Sequence, residues 1–105
     1  MLDNILEKLN VTYETDNAHG WLIVREIDIR NLSLDADSFS EFSYYSVQGG
    51  VTYFALEEDC DASVFSAAAR KQGYALDVRE TNTNGYSFVR GWSSLFQLIS
   101  KKRFG

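Results

Sequence analysis

The feature that most constrains this chain lies near its centre. The run Val51-Thr52-Tyr53-Phe54-Ala55-Leu56 is dense in β-branched and aromatic residues, the composition of a strand. A short acidic corner follows, then Val64-Phe65-Ser66-Ala67-Ala68-Ala69, rich in helix formers, and then Tyr74–Glu80, which reads as strand again. A strand, a helix and a strand in close succession demand a crossover, which within one sheet runs right-handed. The helix is predicted over residues 61–72. Val64, Phe65, Ala68 and, one turn earlier, Cys60 share one side. Arg70 and Lys71 suit the negative end of its dipole, and Gly73 suits the residue just past that end.

Other periodicities place the remaining elements. Leu2, Ile5, Leu6 and Leu9 have helical spacing, predicting a helix at about residues 2–10. Residues 11–15 read as a brief strand and 15–20 as a turn. Residues 21–32 read as one strand in which Ile23, Ile27 and Ile29 alternate with Arg25, Asp28 and Arg30. The phase slips at Val24 and Arg25, as a buried central strand or a bulge would make it. Asp35 or Asp37 caps a short helical turn carrying Phe39 and Phe42. Residues 43–47 then extend, turn through Gln48-Gly49-Gly50, and pair with 51–56 as a hairpin.

A second hairpin is expected between residues 74–80 and 86–92. A two-residue Asn84-Gly85 loop would set Arg79 beside Arg90, an unfavourable like-charge pair. A four-residue loop, Asn82 to Gly85, sets Val78 beside Val89 and Asp77 beside Arg90, and is preferred. Trp92, Leu95, Phe96 and Ile99 then predict a last helix, capped by Ser93 or Ser94, with Lys101, Lys102 and Arg103 at its basic end. The expected fold is α+β: an antiparallel or mixed sheet of about four to five strands, helices packed on one face, and a βαββ unit. At 105 residues, 45% of them apolar, the chain is expected to form a single globular domain over 1–105.

Charge is unevenly spread. Residues 1–69 carry a balance of −10 and residues 70–105 one of +5, giving the net −5. Such asymmetry steers encounters with partners, or is simply a solvated surface. Cys60 is the single cysteine, which precludes an internal disulfide and fits a reducing compartment. The first residues lack the pattern of a signal peptide, and no window approaches the ~20 apolar residues of a membrane span. A cytoplasmic protein without membrane contact is expected.

The acidic corner Glu57-Glu58-Asp59-Cys60-Asp61 offers the ingredients of a site. A calcium loop would need a glycine at its sharp turn, and zinc would want histidine beside cysteine, whereas His19 lies about forty residues away in sequence. Four neighbouring carboxylates oppose a thiolate at Cys60. The corner is therefore read as a strand-to-helix junction in which Asp59 or Asp61 caps the helix and Cys60 turns inward. Glu57, Glu58 and Asp59 then form an exposed acidic ridge, the first candidate surface for a partner. His19, beside Gly20 and Trp21, has no assignable nucleophile, and no phosphate-binding glycine pattern or hydrolase motif occurs. No catalytic residue, metal site or cofactor is assigned.

The segment Asn84-Gly85-Tyr86-Ser87-Phe88-Val89-Arg90-Gly91 partly resembles the aromatic strand of RNA-recognition motifs, with Asn84 in place of a basic residue and Gly91 in place of an aromatic one. Tyr86, Phe88, Arg90 and Trp92 are thus either a stacking surface for single-stranded RNA or DNA, or ordinary core and rim packing.

The run Leu56-Glu57-Glu58-Asp59-Cys60-Asp61-Ala62, followed by Phe65, Ala68 and Gly73 and preceded by Gly20-Trp21-Leu22, resembles small proteins of bacterial plasmids and phages with no assigned function. The likeness covers roughly residues 19–74. It implies a mobile-element setting and, by analogy of size and setting, a non-enzymatic inhibitor of a host defence nuclease complex, of the anti-CRISPR or anti-restriction type. The expected partner is a basic protein or a nucleic-acid-handling complex, with direct nucleic-acid binding as the alternative.

Overall fold

The structure, a computed structural model, describes the backbone of residues 7–104 and the side chains of residues 7–100. Strand β1 (Glu7–Thr15) organises the sheet, because it is hydrogen-bonded along both edges. It runs antiparallel to β2 (Gly20–Arg25), with Tyr13 opposite Leu22 and Glu14 opposite Trp21. On its other edge it runs parallel to β5 (Tyr74–Asn82), from Glu7 opposite Tyr74 to Thr15 opposite Asn82. Beyond β2 come β4 (Val51–Glu57), β3 (Tyr44–Gln48) and the two-residue β6 (Ser93–Ser94). The order is β5-β1-β2-β4-β3-β6, a six-stranded mixed sheet, one strand more than the upper expectation.

The strand–helix–strand unit is present. β2 is antiparallel to β1 and to β4, and β5 is parallel to β1, so β4 and β5 point the same way. Helix α2 (Ala62–Lys71) joins them and carries the chain past β2 and β1. Helices α1 (Glu26–Asn31), α2 and α3 (Phe96–Phe104) share one face, where Ile29, Phe65, Ala69, Leu95 and Ile99 bury against Val11, Leu22, Val24, Phe54 and Leu56. The fold class is α+β, with the helices on one side as expected. The opposite face carries a smaller cluster, Trp21, Ala55 and Val89, flanked by Ile23, Tyr44 and Trp92.

Four local expectations are corrected. Residues 2–6 of the expected first helix lie outside the described residues, and residues 7–10 belong to β1. Leu9 belongs to a period-two row with Val11 and Tyr13, packed on the helix-covered core, because β5 pairs with β1 from Glu7 onward and holds residues 7–10 extended. The strand expected over 21–32 stops at Arg25, where the phase slips. Arg25 bonds Asp28 at 3.1 Å and Arg30 bonds Glu26 at 3.2 Å, side-chain pairs at i,i+3 and i,i+4 that only a helical turn brings together.

The second hairpin does not form. β5 takes β1 as partner, and residues 88–91 make a 3-10 turn on the opposite face of the sheet, so Val78 does not meet Val89 and Asp77 does not meet Arg90. The βαββ unit therefore ends as βαβ. Trp92 leaves the last helix and packs with Trp21 and Val89, while Leu95 and Ile99 keep their core positions and the Ser94 hydroxyl accepts the Phe96 N–H. The hairpin of β3 and β4 forms through Gly49 and Gly50, both at positive φ, and Asp35 caps the turn Ala36–Ser38.

Candidate functional site: an aromatic pocket beside a buried carboxylate pair

Directly paired residues share a face, so the pairing of Trp21 with Glu57 and of Tyr44 with Ala55 puts Trp21, Glu57 and Tyr44 on the face away from the helices. These three help to line a concave pocket of about 320 Å³. His19, from the turn before β2, and Phe42, from the loop before β3, add walls. Asp59 and Cys60, from the corner after β4, and Arg90, from the 3-10 turn, complete the lining. Trp21 meets Tyr44 edge to face at 6.4 Å, and His19 lies 6.2 Å from Trp21, ring centre to ring centre.

Two of the sequence-derived candidates thus meet. The acidic corner and the aromatic segment 86–92 contribute to one pocket, although about thirty residues separate them in sequence. His19 and Cys60 line it together. Distance along the chain was no guide here, since β2 and β4 are neighbours in the sheet. Among the described residues no group of three or more His, Cys, Asp or Glu is placed to hold a metal ion.

Arg90 is held in place. Its Nε and Nη2 donate to Asp16 at 2.6 and 3.2 Å, and its guanidinium stacks 5.4 Å from the Trp21 ring centre and 5.1 Å from that of Tyr86. The Asp16 side chain is fully buried and also accepts the N–H groups of Ala18, His19 and Ser87. The Arg90 guanidinium, aided by those backbone donors, holds its carboxyl well below the usual range against the opposing effect of burial. Beside it, Glu14 is only 1% exposed and accepts hydroxyl hydrogens from Thr81, Thr83 and Ser87. Burial pushes the Glu14 carboxyl up, but the three hydroxyls together outweigh it, and the net displacement is downward. These two carboxylates tie β1 to the 3-10 turn. They force the turn onto the sheet and bury Ser87 and Val89 rather than Tyr86 and Phe88.

The acidic corner divides its labour. One Glu57 carboxylate oxygen accepts the N–H groups of Asp59 and Cys60, closing the turn after β4. Glu58 accepts the Tyr13 hydroxyl at 2.5 Å, and that bond, with burial and the Glu58 charge, pushes the Tyr13 phenol up to about 12. Gly20 is required beside them, since a Cβ there would sit 2.6 Å from the Tyr13 hydroxyl. Asp59 is exposed, while Glu57 and Glu58 are half-buried. Asp61 precedes α2 but makes no side-chain cap; its carboxylate is buried and accepts from Ser40 N, Ser40 Oγ and Ser43 Oγ. Cys60 is exposed rather than turned inward. Desolvation, the Glu57 hydrogen bond and the charges of Glu57, Asp61 and Asp59 push its thiol up.

Comparison with protein-family models, with curated proteins and with solved structures gives no match.

The sequence-derived site residues are therefore divided among separate places. Glu57, Asp59 and Arg90 line the pocket. Glu58 lies with Tyr13, Tyr86 stacks on the outer side of Arg90, and Phe88 pairs with Trp92 at 5.8 Å. Tyr86, Phe88, Arg90 and Trp92 do not share a strand. Sequence reasoning missed Trp21, Phe42 and Tyr44 as pocket walls and Glu14 and Asp16 as its support. Only Asp16 had a local signal, an Asp opening a turn and bonding the N–H groups two and three residues on.

Proposed function

We propose that this chain is a small acidic, non-enzymatic binding protein that receives a basic side chain of a partner protein at the aromatic pocket. The observation that carries the reading is the chemistry of that pocket. Arg90 is neutralised by Asp16, so Glu57 and Asp59 leave an acidic mouth over Tyr44 and the exposed Phe42. Aromatic faces with carboxylates at the rim suit a guanidinium or ammonium group. The charge balance of residues 1–69 works in the same direction at longer range. In the mobile-element setting that the resemblance implies, the partner is a nucleic-acid-handling complex of the host, and the chain acts on it as an inhibitor in the cytoplasm. Among the described residues no helix is long and apolar enough to cross a membrane.

The test is capture of host proteins by the wild type and by charge-reversed variants. Glu57 and Glu58 also hold local structure, so Asp59→Lys, at an exposed position, is the informative change. It should weaken capture of the specific partner by about tenfold or more, and raising salt should weaken wild-type capture in parallel. A partner retained equally by Asp59→Lys and by reversal of Glu57 and Glu58 would sink the reading.

A second reading keeps the aromatic segment as a binder of single-stranded nucleic acid. Its support is that Tyr86 and Phe88 are 80% and 55% exposed. Stacking contributes about 1–3 kcal/mol per base, so a single-stranded oligonucleotide titrated at low salt should bind the wild type and lose roughly tenfold or more with Tyr86→Ala. No binding at low salt ends this alternative.

A further inference from the structure

Strand β5 is the end of the sheet. It pairs with β1 over all of its nine residues, and among the described strands none pairs with its other edge. The opposite end of the sheet is the two-residue β6, followed at once by α3, which leaves little edge to pair. A nine-residue edge presents a row of N–H and C=O groups that another strand can continue. Proteins blunt such an edge with proline, with charged side chains or with a bulge. β5 has neither proline nor bulge, keeping unbroken register with β1 from Tyr74 to Asn82, and its exposed charges, Asp77, Arg79 and Glu80, are of mixed sign. Its residues 77–80 are exposed, including Val78 at 43%.

The sequence of this edge is complementary to itself. In an antiparallel pair of two β5 strands related by a two-fold axis normal to the sheet, residues opposite one another lie on the same face. Centred on Val78, such pairing sets Val78 against Val78, Asp77 against Arg79, and Arg79 against Asp77. Ala75 then faces Thr81 and Leu76 faces Glu80. Centring one residue earlier opposes Asp77 to Asp77, and one residue later opposes Arg79 to Arg79, both disfavoured in a sheet. Alternating charge two residues apart is thus a register device for an antiparallel copy of the same strand, and a parallel copy in register would meet like charge at each position.

We propose that a second copy of this chain pairs with the first through β5, antiparallel and centred on Val78. The two six-stranded sheets then become one continuous sheet with the helices of both copies on the same side. The surface lies at the far end of the sheet from β3, the strand that contributes Tyr44 to the pocket, so the pairing is independent of what that pocket binds.

Sedimentation of the full chain over a range of concentrations tests this. The wild type should show a reversible monomer–dimer equilibrium. Asp77→Arg alone or Arg79→Asp alone opposes like charges at both symmetry-related pairs and should raise the dimer dissociation constant at least about tenfold. The double variant D77R/R79D exchanges the two charges and should restore association to near the wild-type value. Thermal midpoints of all three variants, measured at a concentration low enough for the wild type to be monomeric, should match that of the wild type because the side chains are exposed, and confirm that each is folded. A wild type that stays monomeric at submillimolar concentration overturns the proposal. So does a dimer that is indifferent to the single changes, or one that the double change fails to recover.

Discussion

Phe65→Ala should lower the unfolding free energy by about 3–5 kcal/mol, the cost of emptying a fully buried aromatic site. Phe65 is 0% exposed and lies on the inner face of α2, in the same core cluster as Leu22, Phe54 and Leu56. A domain of this size has a total stability of about 5–15 kcal/mol, so the variant should be marginal at physiological temperature. Its neighbour supplies the control. Val64 was expected on the same side of the helix, yet it is exposed, and Val64→Ala should change stability by no more than about 0.5 kcal/mol. Urea unfolding of the two variants measures the contrast. Equal losses would mean that α2 does not present the face described.

The second large effect concerns the carboxylate pair beneath the pocket. Glu14 and Asp16 both titrate lower in the folded protein than in the unfolded chain, where carboxyls titrate near about 4. Their contribution to stability is therefore fully present above that value and is lost as pH falls through and below it. The denaturation midpoint of the wild type should fall steeply on acidification from about pH 5. Glu14→Gln should already be less stable at neutral pH by about 1–3 kcal/mol, because an amide cannot accept all three hydroxyl hydrogens on one buried group. Its acid limb should be shallower than that of the wild type, since one of the two depressed carboxyls is gone. A Glu14→Gln protein with the wild-type midpoint and pH profile would show that the carboxylate carries no such load. Tyr13 acts at the other extreme: its phenol titrates higher when folded, so its contribution persists to about pH 10 and disappears as pH rises through about 12.

Much of the fold was legible because local chemistry and tertiary demand agree. The β3–β4 hairpin needed only two glycines between β-rich runs, and α2 needed only its alanines and Gly73. The failures are places where one distant contact decides. Tyr86 to Trp92 alternates as a strand should, yet residues 88–91 form a 3-10 turn that buries Ser87 and Val89 and leaves Tyr86 and Phe88 exposed. Asp16 and Glu14, more than seventy residues away along the chain, bond Ser87 and Arg90 and turn the segment over. Residues 26–31 show the reverse. Their isoleucines suggest a strand, whereas the pairs Arg25–Asp28 and Glu26–Arg30 already stood at helical spacing in the sequence. The pocket was the least legible feature. Its walls come from four segments that only the strand order brings together, and nothing along the chain announces that order.

That order also sets when the molecule is finished. Every residue of β1 meets a partner in β5 that follows it by 67 positions, and no shorter route supplies the missing neighbour. Contacts this remote close a long loop, and such closure slows folding relative to local structure. During synthesis the edge of β1 stands bare while β2, β3, β4 and α2 emerge. A chain cut anywhere before Tyr74 loses the parallel companion of β1 rather than a dispensable rim. The last third of the sequence therefore acts as the clasp on a structure whose first strand has been waiting for it.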